Sequence, residues 1–185
     1  MKGRARGGTA RTRSRWPVVA GAVTCGLLLV AGPGTAAQET TRQAPAPPCA
    51  SEQLIADSAQ RTGGDGVRIT VINDGPGACV LRGFPTVALA GQGSPDRNTP
   101  LKVVRQGQAR PVQLEVGGRA STQLTFTPVL GEADGYCASG AEPTVAPSLV
   151  LGVGGGGLQL APEDGGDFAL CGTTVRATAF RGSGS

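Results

Sequence analysis

The chain has 185 residues, 39% of them hydrophobic, with 17 basic against 13 acidic side chains, no histidine and five cysteines. That length suits one domain with its own core and is short for two. The positive excess is not spread along the chain: Lys2, Arg4, Arg6, Arg11, Arg13 and Arg15 precede the first acid, Glu39, and the remainder has 11 basic against 13 acidic residues, which removes the basis for a nucleic-acid partner.

Residues 1–37 have the layout of a secretory signal peptide: a basic region to Arg15, an apolar stretch from Trp16 to Ala31, and the small residues Thr35-Ala36-Ala37. Gly21, Thr24, Cys25 and Gly26 interrupt the apolar stretch, and it falls short of the ~20 residues of a comfortable span. The expectation is cleavage after Ala37, with no membrane attachment afterwards. No Arg-Arg pair precedes the stretch, which favours the general export route. Cys25 follows Thr24, and Leu27 to Val30 continue the apolar run past it, so it reads as signal-peptide filler rather than a lipid attachment point.

Residues 38–48, QETTRQAPAPP, are polar and proline-rich and are expected to be an extended spacer. The domain is placed at 49–181. Ser51 to Gln60 is the one segment expected to form a helical turn or two. After it the dominant signal is alternation with period two, which puts one set of side chains on a buried sheet face. Val67, Ile69 and Val71 show it first, then, past the turn Asn73-Asp74-Gly75-Pro76-Gly77, Val87 and Leu89. Val112, Leu114 and Val116 follow, closed by Gly117-Gly118, and then Leu124 with Phe126. Leu149, Leu151 and Val153, Leu158 with Leu160, and Val175 with Ala177 and Ala179 complete the set, leaving 182–185 as a flexible tail. Seven or so short strands punctuated by Gly, Pro, Asn and Asp predict an all-β domain, an immunoglobulin-like antiparallel β-sandwich. Its one departure is visible at once. The only tryptophan, Trp16, lies in the leader, so none can pack on an inter-sheet disulfide.

Without the leader, Cys49, Cys79, Cys137 and Cys171 remain, and an even number in an exported chain implies disulfides. A cysteine zinc site is the competing reading, but such sites bring ligands in close pairs, and these four stand far apart in a chain without histidine. Of the three connectivities, Cys49 with Cys79 and Cys137 with Cys171 is favoured, since each pair brackets one half of the domain.

Few residues offer chemistry. Without histidine there is no Ser-His or Cys-His nucleophile, and Lys102, the only lysine after the leader, stands in no S-x-x-K motif. Gly152, Gly154 and Gly157 satisfy G-x-G-x-x-G, but Leu158-Gln159-Leu160-Ala161-Pro162 continues as a strand and not as the helix that a phosphate loop opens. A hairpin loop is expected there. Glu163, Asp164 and Asp167 form an acidic loop of oxygen ligands of the kind that can hold calcium, but the spacing lacks the alternating ligand order of an EF-hand and such loops are more often solvated turns, which is the reading taken. Carboxylates are the remaining route to catalysis, with Glu115, Glu132, Asp134, Glu142, Glu163, Asp164 and Asp167 available. No cofactor and no metal site is expected, and the five aromatic residues after the leader read as core.

The string Asn73-Asp74-Gly75-Pro76-Gly77-Ala78-Cys79-Val80-Leu81-Arg82-Gly83-Phe84-Pro85 resembles the N-x-G…C-x-L-x-G-[FY]-P motif of secreted bacterial proteins grouped as domain of unknown function 4232. Cys49 upstream, Val112 to Ala120 with its Gly-Gly turn, and Cys137 and Cys171 downstream extend the likeness over Cys49 to Arg181. Val116 stands where proline is common and Phe126 where tryptophan is common. The resemblance implies an exported β-sandwich and supplies no activity. On the residues themselves, Asn73, Gly75, Gly83, Phe84 and Pro85 read as a structural corner tied down by Cys79, with Gly83 permitting a positive φ and Pro85 starting the next strand. The functional expectation is a secreted, non-catalytic module, extracellular or held at the cell envelope, that binds an envelope component or a partner protein. The oligomeric state is left open. The alternative is an extracellular hydrolase using carboxylates.

Overall fold

The structure is a computed structural model and describes residues 44–131 and 135–183. The signal peptide, Cys25, most of the spacer, Glu132 and Asp134 lie outside the described residues. After a 3-10 turn at Ser51–Gln53 the strands run β1 (Leu54–Arg61), β2 (Gly66–Asn73), β3 (Cys79–Leu81), β4 (Thr86–Ala90), β5 (Asn98–Pro100), β6 (Lys102–Gln106) and β7 (Val112–Leu114). They continue as β8 (Arg119–Phe126), β9 (Thr144–Ala146), β10 (Ser148–Val153), β11 (Gly156–Leu160), β12 (Phe168–Leu170), β13 (Thr174–Thr178) and β14 (Arg181–Gly182).

One sheet has the order β1-β2-β8-β13-β6, with β14 also on β8, and a second has the order β11-β10-β4-β5. Two-stranded ribbons β3-β7 and β9-β12 complete the set. The orders β1-β2-β8 and β11-β10-β4 reproduce the A-B-E and G-F-C arrangement of an immunoglobulin-type sandwich. The all-β expectation holds. Two features exceed it. The strands number twice those expected, because short ribbons and edge pieces of two or three residues carry too little alternation to register in a sequence. And β13 pairs with β6 in parallel, Val175 opposite Val103, while every other strand pair is antiparallel.

The core forms because the inward residues of both sheets are the alternating aliphatic ones. Val67, Ile69 and Val71 of β2, Leu124 and Phe126 of β8 and Val175 and Ala177 of β13 meet Val87, Leu89, Leu149 and Leu151 in one buried cluster. Phe126 fills the space next to Phe168, ring centroids 6.2 Å apart. Each large aliphatic side chain so buried contributes about 1.5–3 kcal/mol. Cys49 is bonded to Cys79 and Cys137 to Cys171, as expected.

Four local readings need correction. Ser51 to Gln60 is helical only over Ser51–Gln53, and the rest is strand β1. A bulge between Ala56 and Ser58 shifts the pairing with β2, so Leu54 and Ala59 both face the core five residues apart; the extra residue breaks the period of two on which the sequence reading relied. Val116 is not a core residue: β7 ends at Leu114, and Val116 is 61% exposed in the turn where the Gly118 N–H donates to the Glu115 carbonyl. The spacer joins the fold earlier than expected, since the Val80 N–H donates to the Pro47 carbonyl at 2.8 Å. At the other end Gly182 pairs with Ala120 and the Ser183 N–H donates to the Arg119 carbonyl, so the tail is tied to β8 as far as Ser183.

Candidate functional site

The residues singled out by the motif sit at two places. Asn73 ends β2 and is fully buried, an unusual place for an amide side chain. Its Nδ2 donates to the carbonyls of Gly77 (2.9 Å), Leu114 (3.1 Å) and Glu115 (3.2 Å), while its Oδ1 accepts from the Gly75 N–H at 3.1 Å. Its own backbone closes the far side, with N–H to Gly118 O at 2.9 Å and carbonyl to Gly117 N–H at 2.7 Å. One side chain therefore holds the loop after β2 against the β7–β8 turn, with both amide hydrogens committed to protein carbonyls and no surface open to a ligand. Gly75 is required there by space: a Cβ would lie 2.9 Å from the Gln53 side chain.

Phe84, between Gly83 and Pro85 in the chain, lies in one wall of a groove at the Cys49–Cys79 end. Gly83 has φ +81° with open space around it, so its glycine serves conformation alone. Pro85 is buried immediately before β4. Phe84 is half-buried, with the Arg105 guanidinium 5.5 Å above its ring. The opposite wall is the β10–β11 hairpin, whose two-residue loop Gly154-Gly155 has φ of +61° and +86°, the pair of positive angles that a type I′ turn demands. The Ser51 N–H donates to the Gly154 carbonyl at 3.0 Å. A Cβ on Gly154 would lie 2.7 Å from the Ser51 nitrogen, and one on Gly157 2.6 Å from Val150. The three glycines of the G-x-G-x-x-G string are thus set by protein neighbours and not by a phosphate: Gly154 by the backbone of residues 49–51, Gly152 by the Thr86 side chain and Gly157 by Val150. Between the walls is a space of about 440 Å³ lined by Pro48, Val80, Arg82, Phe84, Phe180 and the hairpin glycines. Arg82 is the only lining side chain that carries a charge.

Both places fall inside the stretch, residues 49–181, that matches the family described as Domain of unknown function (DUF4232). The chain belongs to the DUF4232 family. Comparison with curated proteins and with solved structures gives no match. In this DUF4232 chain the family match therefore covers the corner, the groove and both disulfides.

The acidic loop is organised by an arginine. Arg61, at the end of β1, places Nε 2.6 Å from Asp164 Oδ2 and donates from Nη2 to the Asp167 carbonyl at 2.6 Å. The Gly166 N–H on Asp164, and then Arg61, hold the Asp164 carboxyl below the usual carboxylate range. That direction keeps it ionised, the opposite of what a general acid near neutral pH requires. The cation gripped by this loop is a guanidinium, and among the described residues no group of three acidic or cysteine side chains is arranged to hold a metal. Asp65 lines a cleft of about 210 Å³ and Glu115 one of about 480 Å³, neither with a second carboxylate. Arg61 carries no signal in the sequence, and Arg82 and Phe180 are legible there only as a motif position and a core aromatic, because the surroundings that make them groove or loop residues come only through the fold.

Proposed function

We propose that this DUF4232 domain is an extracellular, non-catalytic binding module whose ligand belongs to the cell envelope. The observation that supports the reading most directly is the chemistry of its groove. That space offers glycine backbone, two phenylalanines and one arginine, which can bind but has no partner for proton transfer. Two disulfides accord with an oxidising compartment outside the cytoplasm. Among the described residues no helix is long and apolar enough to cross a membrane.

The test uses purified residues 38–185 in two assays. Co-sedimentation with isolated cell-wall material measures binding, and product release from polysaccharide, peptidoglycan, ester and peptide substrates measures turnover. Binding without turnover is the expected result. Turnover that disappears when one carboxylate is changed to its amide, with folding intact, replaces this reading with that of a carboxylate-dependent hydrolase.

A further inference from the structure

We infer that the outer face of the six-stranded sheet is a binding surface for a linear acidic polysaccharide, its carboxylates held by Arg68, Arg176 and Arg181. This rests on the reading of the domain as a binding module and adds to it the surface and the ligand class.

Strand register fixes which residues share that face. Arg68 of β2 lies between Gln60 of β1 and Gln123 of β8. The Gln123 N–H donates to Thr178 Oγ1 at 2.9 Å, which carries the row on to β13. One step of two residues along β8 in either direction brings Thr125 beside Arg176 and Ser121 beside Arg181. Alternation then guarantees that these side chains point outward, since Val67, Ile69, Leu124 and Val175 between them are buried. All three arginines are exposed. Arg68 and Arg181 flank a shallow cleft of about 360 Å³ floored by Ser121, Thr122, Gln123 and Thr178.

Charge selects the ligand. The chain after the leader has slightly more acids than bases, yet this face gathers Arg68, Lys102, Arg119, Arg176 and Arg181, with Asp57 and Asp65 as the acids beside them. Arg119 is paired with Asp57, and neither ion pair among the described residues involves Arg68, Arg176 or Arg181. Five bases therefore face two acids on one open sheet surface of a domain that is not basic, with Asp65 in the cleft beside Arg176 and no acid lining the cleft between Arg68 and Arg181. Such a surface attracts polyanions, and a guanidinium fork matches a carboxylate with two parallel hydrogen bonds.

Spacing and surroundings narrow the class. Each arginine is two strands and two residues from Arg68, about 12 Å between Cα atoms from ~4.8 Å per strand and ~3.3 Å per residue. That separation suits a chain bearing one acid per disaccharide. The hydroxyl and amide groups of Ser121, Gln123, Thr125 and Thr178 between the arginines are suited to sugar hydroxyls. Single-stranded nucleic acid is held by aromatic side chains on which bases stack. This face has none: the sheet strands contribute Phe126 alone, and it is buried on the inner side.

The experiment titrates purified residues 38–185 with hyaluronan oligosaccharides of defined length, with neutral dextran and single-stranded DNA in parallel, and follows oligosaccharide length over time. Hyaluronan should bind with an affinity that falls as salt rises, while dextran does not bind and DNA binds more weakly. The double variant Arg68→Gln/Arg181→Gln should weaken hyaluronan about tenfold or more. Arg97→Gln, which removes a charge beside β4 and β5 of the other sheet, should change it less than about twofold. Equal weakening by both variants, equal binding of dextran, or tighter binding of DNA overturns the proposal. An inert domain that sediments with cell wall but ignores hyaluronan refutes this inference and leaves the binding-module reading standing. Shortening of the oligosaccharides does the reverse.

Discussion

Replacing Asn73 tests whether the family motif is structural. Asn73→Ala removes the acceptor of the Gly75 N–H and the donor shared by the carbonyls of Gly77, Leu114 and Glu115, at a fully buried position. A buried polar group left without its partner costs about 1–3 kcal/mol. Gly75 N–H and Leu114 O, the two whose bonds with Asn73 are buried, then account for about 3–4 kcal/mol together, with a small added contribution from the cavity. That is a large share of the ~5–15 kcal/mol of a native domain, and it corresponds to a fall in Tm of about 10–20 °C. Asn73→Asp preserves shape while replacing the NH2 donor with an oxygen that faces three carbonyls. Burial and those oxygens raise the native pKa of the new carboxyl above its unfolded value of about 3.9. The unfolded state then ionises first, so the loss of stability grows as pH rises from about 4 toward the raised native value. Urea unfolding followed by circular dichroism, at pH 3.5, 5 and 7 with disulfides intact, measures both effects. Asn73→Ala within about 1 kcal/mol of the parent, or a deficit for Asn73→Asp that does not change with pH, would refute the argument.

Four further outcomes follow from the same structure. Non-reducing peptide mapping should link Cys49 to Cys79 and Cys137 to Cys171, and replacing either pair with serine should cost about 3–4 kcal/mol, since they close loops of 30 and 34 residues. Gly154→Ala should destabilise more than Gly155→Ala in parallel thermal melts: both have positive φ, but only at Gly154 does the new methyl meet backbone atoms under 3 Å away. In an NMR titration the Asp164 carboxyl should titrate below a model carboxylate, and Arg61→Gln should move it upward; because the native value is depressed, its contribution to stability is present above the unfolded pKa and is lost as pH falls through the native one. Intact mass of exported protein should correspond to a start at Gln38, and material retaining Trp16 would contradict the cleavage assignment.

The sequence by itself determined the fold class, the disulfide pairing and most of the core. Val67, Ile69 and Val71, or Leu149 and Leu151, alternate because a sheet buries one side only, and that constraint is written residue by residue along a strand. It determined nothing where the regularity breaks. The bulge at Asp57 hid β1, and the turn at Val116 was read as strand, because one inserted or unpaired residue inverts the parity of everything after it. Tertiary structure alone decided the rest. Asn73 was visible as a motif residue, but its four side-chain hydrogen bonds reach 2, 4, 41 and 42 positions away, and only chain closure brings those groups to it. In the glycine string at 152–157, Gly154 and Gly156 are required by residues 49–51, about a hundred positions earlier, and Gly152 by Thr86. The three arginines of the outer sheet face stand at 68, 176 and 181, unremarkable as sequence, and become one surface because β2, β8, β13 and β14 lie side by side. A local pattern records what each residue does to its own strand; which strands become neighbours is set by packing the whole core, and the surface chemistry follows from that choice.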